Sequence, residues 1–194
     1  MERLQNVTLQ RGDSRIEGTT LDGALHGSAR VLTGGVPVAL LSYAHGELHG
    51  PATMFHPDGA RSAQLNYADG KLHGKAVYYL ADGTVQREAQ YAHGALSGDS
   101  KTWLPDGTLL EHAVYRQGKP HGLLQRFHPN GRLAERQMFN AGKPAGPAER
   151  YAADGRPLDA EGKPVSRWQQ WWRGMRGEPA AAESAPGPRY PPNS

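Results

Sequence analysis

Tyr67-Ala-Asp-Gly-Lys-Leu-His-Gly-Lys-Ala-Val-Tyr-Tyr-Leu-Ala-Asp-Gly83 contains every fixed feature of a unit that recurs along the chain. Tyr43, Tyr67, Tyr91, Tyr115 and Phe139 are each 24 residues apart. Gly46, Gly70, Gly94, Gly118 and Gly142 follow them by three positions, and Gly50, Gly74, Gly98, Gly122 and Gly146 come four later. A second aromatic column holds Phe55, Tyr79, Trp103, Phe127 and Tyr151, and a turn then closes each copy. The turns are Pro57-Asp-Gly59, Ala81-Asp-Gly83, Pro105-Asp-Gly107, Pro129-Asn-Gly131 and Ala153-Asp-Gly155. A degenerate first copy, Gly23–Gly27 to Gly34-Gly35, is one residue shorter. Periodicity of this kind is the signature of a repeat architecture.

The turns set the secondary structure. Pro presets φ at the first corner, Asp or Asn tolerates the second, and Gly takes the left-handed position after it. That is a three-residue hairpin loop with a glycine bulge. The flanking segments, such as Lys75–Leu80 and Thr84–Tyr91, have strand length and strand composition. The expected fold is therefore all-β: an elongated, single-layer antiparallel sheet of tandem β-hairpin repeats, about 50 Å long at two strands per copy. Counting outward from the loop puts Val77, Tyr79, Val85, Arg87, Ala89 and Tyr91 on one face. Ala76, Tyr78, Leu80, Thr84, Gln86, Glu88 and Gln90 fall on the other. Both aromatic columns then share a face.

Composition agrees. Only 37% of the 194 residues are hydrophobic, with 25 Gly and 15 Pro, a mixture suited to a thin sheet with many turns. The absence of cysteine excludes disulfides, thiolate metal sites and Cys nucleophiles. The formal charge of +3 is spread along the chain without a Lys/Arg block, so nucleic acid is not an expected partner. The longest apolar run, Val36–Leu41, is far short of the ~20 residues a spanning helix needs. Met1–Asn6 shows no apolar leader, so the expected location is the cytoplasm, or the periplasm if a leader has been removed.

The unit Tyr-x-x-Gly-Lys-Leu-His-Gly-x-x-x-x-Tyr-x-x-Asp-Gly resembles the MORN-repeat variant of bacterial proteins in the YwqK-type antitoxin/immunity family. The resemblance covers about residues 18–158. Ser97, Pro120, Pro144 and Ala145 depart from the Lys-Leu-His-Gly connection. The resemblance implies an immunity role: binding a cognate bacterial toxin domain and neutralising it. The alternative is a MORN-like structural or membrane-associated scaffold.

The residues offer little catalytic chemistry. His26, His49, His73 and His121 form one column before a Gly. Copies lie about 9–10 Å apart, whereas metal ligands converge within about 2 Å of one ion. Members of one column therefore cannot share a metal, and they read as connector residues bonding a neighbouring backbone. The column Asp58, Asp82, Asp106, Asn130 and Asp154 reads as turn chemistry, because a Gly follows in every copy and Asn replaces Asp at one. With no P-loop, Rossmann, H-E-x-x-H or G-x-S-x-G pattern present, the chain is expected to be neither an enzyme nor a cofactor carrier.

Partner specificity is expected in columns that change between copies: Met54, Tyr78, Thr102 and Arg126, then Gln64, Glu88, His112 and Arg136. After the repeats, Trp168, Trp171, Trp172 and Met175 share one helical face with Arg173 beside them. This segment reads as a capping helix over the last strand, as a partner anchor, or as a membrane-surface contact. The expected organisation is a cap strand over 1–17, six repeats over 18–158, a Trp-rich helix over 159–177 and a disordered Pro/Ala-rich tail over 178–194.

Overall fold

A computed structural model describes residues 3–165. Their regular structure consists of antiparallel strands, with no helix among the described residues. They fall into two compact units that divide between Gly98 and Asp99.

The first unit begins with a hairpin of β1 (Leu4–Arg11) and β2 (Ser14–Leu21), paired from Leu4↔Leu21 to Arg11↔Ser14. A meander follows: β3 (Ala24–Leu25), β4 (Gly27–Thr33), β5 (Val36–Ala44), β6 (Glu47–Leu48), β7 (Gly50–Phe55), β8 (Arg61–Ala68), β9 (Lys71–Leu72), β10 (Gly74–Tyr79) and β11 (Val85–Ala92). β12 (Ala95–Trp103) carries the chain across the boundary. The second unit continues with β13 (Leu109–Arg116), β14 (Lys119–Phe127), β15 (Leu133–Asn140), β16 (Lys143–Pro144) and β17 (Glu149–Arg150).

Two kinds of turn alternate. The Asp-Gly turns are the expected three-residue loops. In the third repeat the Leu80 N–H donates to Thr84 O and the Gly83 N–H donates to Leu80 O, both at 2.9 Å. The other connection is itself a tight hairpin. Asp69 and Gly70 both have positive φ, 50° and 71°, and Tyr67↔Leu72 and Ala68↔Lys71 pair across them. Two consecutive left-handed residues define a type I′ turn, whose twist matches that of the strands. The same geometry recurs at His45-Gly46, His93-Gly94, Gln117-Gly118 and Ala141-Gly142.

One irregularity changes which side chains share a face. Val77↔Glu88 and Tyr78↔Arg87 pair in one register, whereas Tyr79 pairs with Val85, so Gln86 is an extra residue. Ser62 and Ala134 are left over in the same way at the equivalent steps, and Val38 in the short first copy. Side chains alternate with period two, so one inserted residue inverts everything beyond it. The expected face assignment is corrected accordingly. Gly74, Ala76 and Tyr78 share a face with Arg87, Ala89 and Tyr91, while Lys75, Val77, Tyr79 and Val85 share the other with Glu88 and Gln90. The two aromatic columns therefore lie on opposite faces.

On one face the core is a stripe of small residues, while Leu32 and Val85 are buried on the other. Ala29, Ala39, Ala52, Ala63, Ala76 and Ala89 are all at most 5% exposed. They lie on one face of the first unit, because Ala52↔Leu65, Met54↔Ala63, Tyr78↔Ala63 and Ala76↔Ala89 are direct cross-strand pairs. In the second unit Ala113, Leu124 and Gln137 hold the equivalent positions, paired Ala113↔Leu124 and Leu124↔Gln137. Each unit thus has its own alanine face.

Beyond β17 the ladder thins to single bridges, Tyr151↔Pro157 and Leu158↔Pro164, because proline has no N–H to donate. The helix expected over 159–177 is corrected at its start. Asp159–Gly162 is a tight turn, with the Gly162 N–H bonded to Asp159 O at 3.0 Å and the Lys163 N–H bonded to the Asp159 carboxylate at 2.8 Å. Trp168, Trp171, Trp172 and Arg173 lie outside the described residues.

Candidate partner-binding faces

The residues singled out for partner binding separate onto two faces. In the first unit Met54 and Tyr78 both pair with Ala63, placing them on the alanine face. Gln64 pairs with Thr53 and Val77, and Glu88 pairs with Val77, placing them on the opposite face. In the second unit Arg126 pairs with Glu111 and Glu135 on the alanine face. His112 and Arg136 both pair with Gln125 on the other. The single set expected from the sequence is two sets, one on each side.

The alanine face of the first unit is apolar and aromatic. Leu41, Tyr43, Met54, Leu65, Tyr67, Tyr78 and Tyr91 stand half-buried around the alanine stripe. Burial raises the Tyr43 phenol pKa. Tyr78 is pushed up to about 12, first by burial and then by its hydrogen bond to Tyr91, while the nearby Arg87 charge acts in the opposite sense. Tyr67 and Tyr91 enter the face because of the bulge. Counting the loop alone hides them, and no residue type marks the extra position, which is Val38, Ser62, Gln86 or Ala134.

The same columns become ionic in the second unit. The Arg126 guanidinium lies 3.0 Å from Glu111 and 3.5 Å from Glu135, and Arg150 lies 3.5 Å from Glu135. These groups alternate in sign along one row of cross-strand neighbours. On the opposite face His112 Nε2 lies 2.6 Å from Asp99 Oδ1. Arg136 and Glu149 approach to 2.7 Å, and the Tyr151 hydroxyl donates to the same Glu149 oxygen at 2.7 Å. The Arg136 hydrogen bond lowers the Glu149 pKa, and the same bond raises that of Arg136. Tyr151 rises to about 12, through burial first and then the bond to Glu149.

On the opposite face of the first unit, Gln64 Oε1 accepts a 2.6 Å hydrogen bond from the Tyr79 hydroxyl, and the Arg61 guanidinium sits 5.9 Å from the centre of the Tyr79 ring. Glu88 forms a 2.7 Å ion pair with Lys75. These polar groups, already bonded to each other, share the face with apolar residues, among them buried Val85 and exposed Leu40.

The aspartate and histidine columns hold the backbone. Asp58, Asp82, Asp106, Asn130 and Asp154 each accept the N–H two residues on, at 2.8–3.1 Å. These bonds lower the pKa of Asp82, Asp106 and Asp154. The Nδ1 atoms of His26, His49 and His121 accept the backbone N–H of His45, Asp69 and Ala141 at 3.4–3.5 Å, tying each connector to the next turn. His56 and His128 use Nε2 to reach Tyr79 O and Tyr151 O, at 3.0 and 2.8 Å.

Comparison with known proteins concerns the repeat. No curated protein matches the chain. A chain of the GtfA/B complex, solved bound to UDP and GlcNAc, aligns at 14% identity and a TM-score of 0.30. That alignment covers 69% of this chain but 25% of the other, and likeness at this level carries no argument about this chain. Residues 72–93 and 120–141 match the MORN repeat variant, two copies of the same unit spaced two repeats apart, so the hairpin array described above contains MORN-variant repeats.

Proposed function

We propose that this chain is a protein-binding module that docks onto a cognate bacterial toxin domain and neutralises it by covering its active site or substrate cleft. The observation that carries the binding reading is the division of labour between columns. Glycines, Asp-Gly turns and alanines repeat and build the frame. At one and the same frame position, by contrast, the alanine face presents Met54, Tyr78 and Arg126. A frame that holds different chemistry at equivalent sites is suited to recognising one particular surface. Tyr, Met and Arg are the residues enriched at interface cores. Occlusion asks no catalysis of the binder, in keeping with histidine and aspartate columns committed to backbone bonds. The toxin as partner rests on the resemblance of the repeat unit to the YwqK-type antitoxin/immunity family.

The test is capture from the native host, identification of bound proteins by mass spectrometry, and expression of the leading candidate with and without this chain. One stoichiometric partner whose toxicity the chain suppresses supports the reading. Recovery in the membrane fraction or self-assembly, with no suppressible partner, replaces it with the scaffold alternative.

A further inference from the structure

The turns bring histidines together in a way the repeat columns do not. Each type I′ turn lies beside the connector of the preceding copy. The Gly46 N–H donates to Leu25 O and the Gly94 N–H to Leu72 O, both at 2.8 Å. His45 is thereby set against His26, with ring centres 5.3 Å apart and planes at 67°. His93 is set against His73, at 5.5 Å and 74°. His45, His73 and His93 are exposed and His26 is half-buried. His26 accepts the His45 N–H through Nδ1 at 3.5 Å, which puts its own proton on Nε2, so coordination through Nε2 exchanges the tautomer and gives up this long bond.

These separations come close to those of two rings sharing an ion. A metal about 2.0–2.1 Å from a coordinating nitrogen lies roughly 3.2 Å from that ring's centre. Two imidazoles at angles between square and tetrahedral then have centres about 4.5–5.2 Å apart. The observed 5.3 and 5.5 Å fall just outside that range, within reach of small side-chain rotations. The residue types add a second argument. His45 and His93 hold left-handed backbone, φ 49° and 51°, where Asp22 and Asp69 stand in the alternate connections. That position favours Gly, Asn and Asp and also admits His. In both places histidine occupies it opposite another histidine. Between the two pairs, His49 Nδ1 faces Asp69 Oδ1 at 3.4 Å.

We propose that His26/His45 and His73/His93 are two bidentate sites for a borderline divalent cation such as Zn²⁺, Ni²⁺ or Cu²⁺. Among the described residues no three His, Asp or Glu side chains converge to hold an ion. The remaining positions at each site therefore belong to water or to a donor from another molecule. Members of one histidine column remain too far apart to share a metal; the ligands come from two columns in adjacent connections.

The test uses the full untagged chain with each metal salt alone, followed by calorimetry or equilibrium dialysis. Saturable binding is expected, with Cu²⁺ tightest and Ni²⁺ weaker, following the usual order for such ligands. His45→Asn and His93→Asn each remove one bound equivalent, and the double variant removes both. Asn accepts the left-handed turn, so the fold is retained, as circular dichroism would verify. His26→Gln and His73→Gln give the same losses from the other side of each pair. Cu²⁺ bound at either pair shows two-nitrogen coupling in its electron paramagnetic resonance spectrum. Absence of saturable Cu²⁺ binding, or wild-type stoichiometry in the double variant, overturns the proposal.

Discussion

Single residues in this protein are fixed by backbone geometry more often than by bulk. Gly98 has φ +113°, and a Cβ added there would come within 3.0 Å of the Gln90 Cβ. Gly59 also has positive φ, +87°, but open space around it. Gly98→Ala therefore combines strain and collision, and is expected to lower unfolding stability by about 1–3 kcal/mol. Gly59→Ala meets only the conformational term and should cost about 1 kcal/mol. Urea unfolding of the two variants compares them directly, and equal losses would refute the close approach. Tyr78 gives a prediction in pH. Its folded pKa of about 12 stands above the ordinary 10.0, so the folded state favours the neutral phenol. That contribution is complete below pH 10.0 and is lost as pH rises toward about 12. Tyr78→Phe should therefore unfold at lower denaturant at neutral pH, having lost the bond to Tyr91, yet show a flatter alkaline limb than the parent chain. An unchanged limb would mean that Tyr78 is not the group responsible.

Elements depend on one unmarked residue per repeat. Deleting Glu88, beyond the bulge, would exchange Ala89 and Tyr91 with Gln90 between faces, whereas deleting Gln86 would join Val85 to Arg87 with both on the faces they already occupy. Without Glu88, Ala89, 1% exposed, would be replaced in the alanine stripe by the Gln90 amide. The Glu88 deletion is expected to abolish cooperative unfolding of the first unit, whereas deleting Gln86 should only shift the transition. The same residue shows where sequence reading succeeds and where it stops. Strands, turns and the 24-residue register are legible because Gly and Asp have conformational reasons to stand where they do. The bulge is illegible because its occupant, Val38, Ser62, Gln86 or Ala134, needs no special conformation. The face assignment inverted at that point, which hid Tyr67 and Tyr91 as neighbours of Tyr78 and merged Met54 and Tyr78 with Gln64 and Glu88. The type I′ turns were open to reading in Asp69-Gly70, where Asp-Gly is a strong hairpin signal. His45-Gly46 and Ala141-Gly142 obscure it.

For the molecule as a whole, the question is which face meets the partner, and the two sides of the first unit differ in what docking would cost them. The opposite face holds Lys75–Glu88 and Tyr79–Gln64, polar groups that already satisfy each other and would have to be desolvated or re-paired. The alanine face offers Leu41, Met54, Leu65, Tyr67 and Tyr78, apolar bodies with hydroxyl tips at two tyrosines, and covering them releases water without breaking an ion pair. A few desolvated residues at the centre of a patch, Tyr prominent among them, carry most binding energy in protein interfaces, and Met is enriched in interface cores. If the proposed toxin docks on this unit, Met54→Arg and Tyr78→Ala should each weaken capture by roughly tenfold or more, corresponding to about 1.4 kcal/mol or more. Gln64→Lys and Glu88→Gln should change it by less than about threefold, as rim or uninvolved residues do. Surface-based affinity measurement on the captured partner, with circular dichroism confirming each variant's fold, reads the two sets side by side. The reverse pattern would place recognition on the polar face, and Tyr78 would then belong to the frame with Tyr67 and Tyr91, its variation among copies serving packing and not specificity.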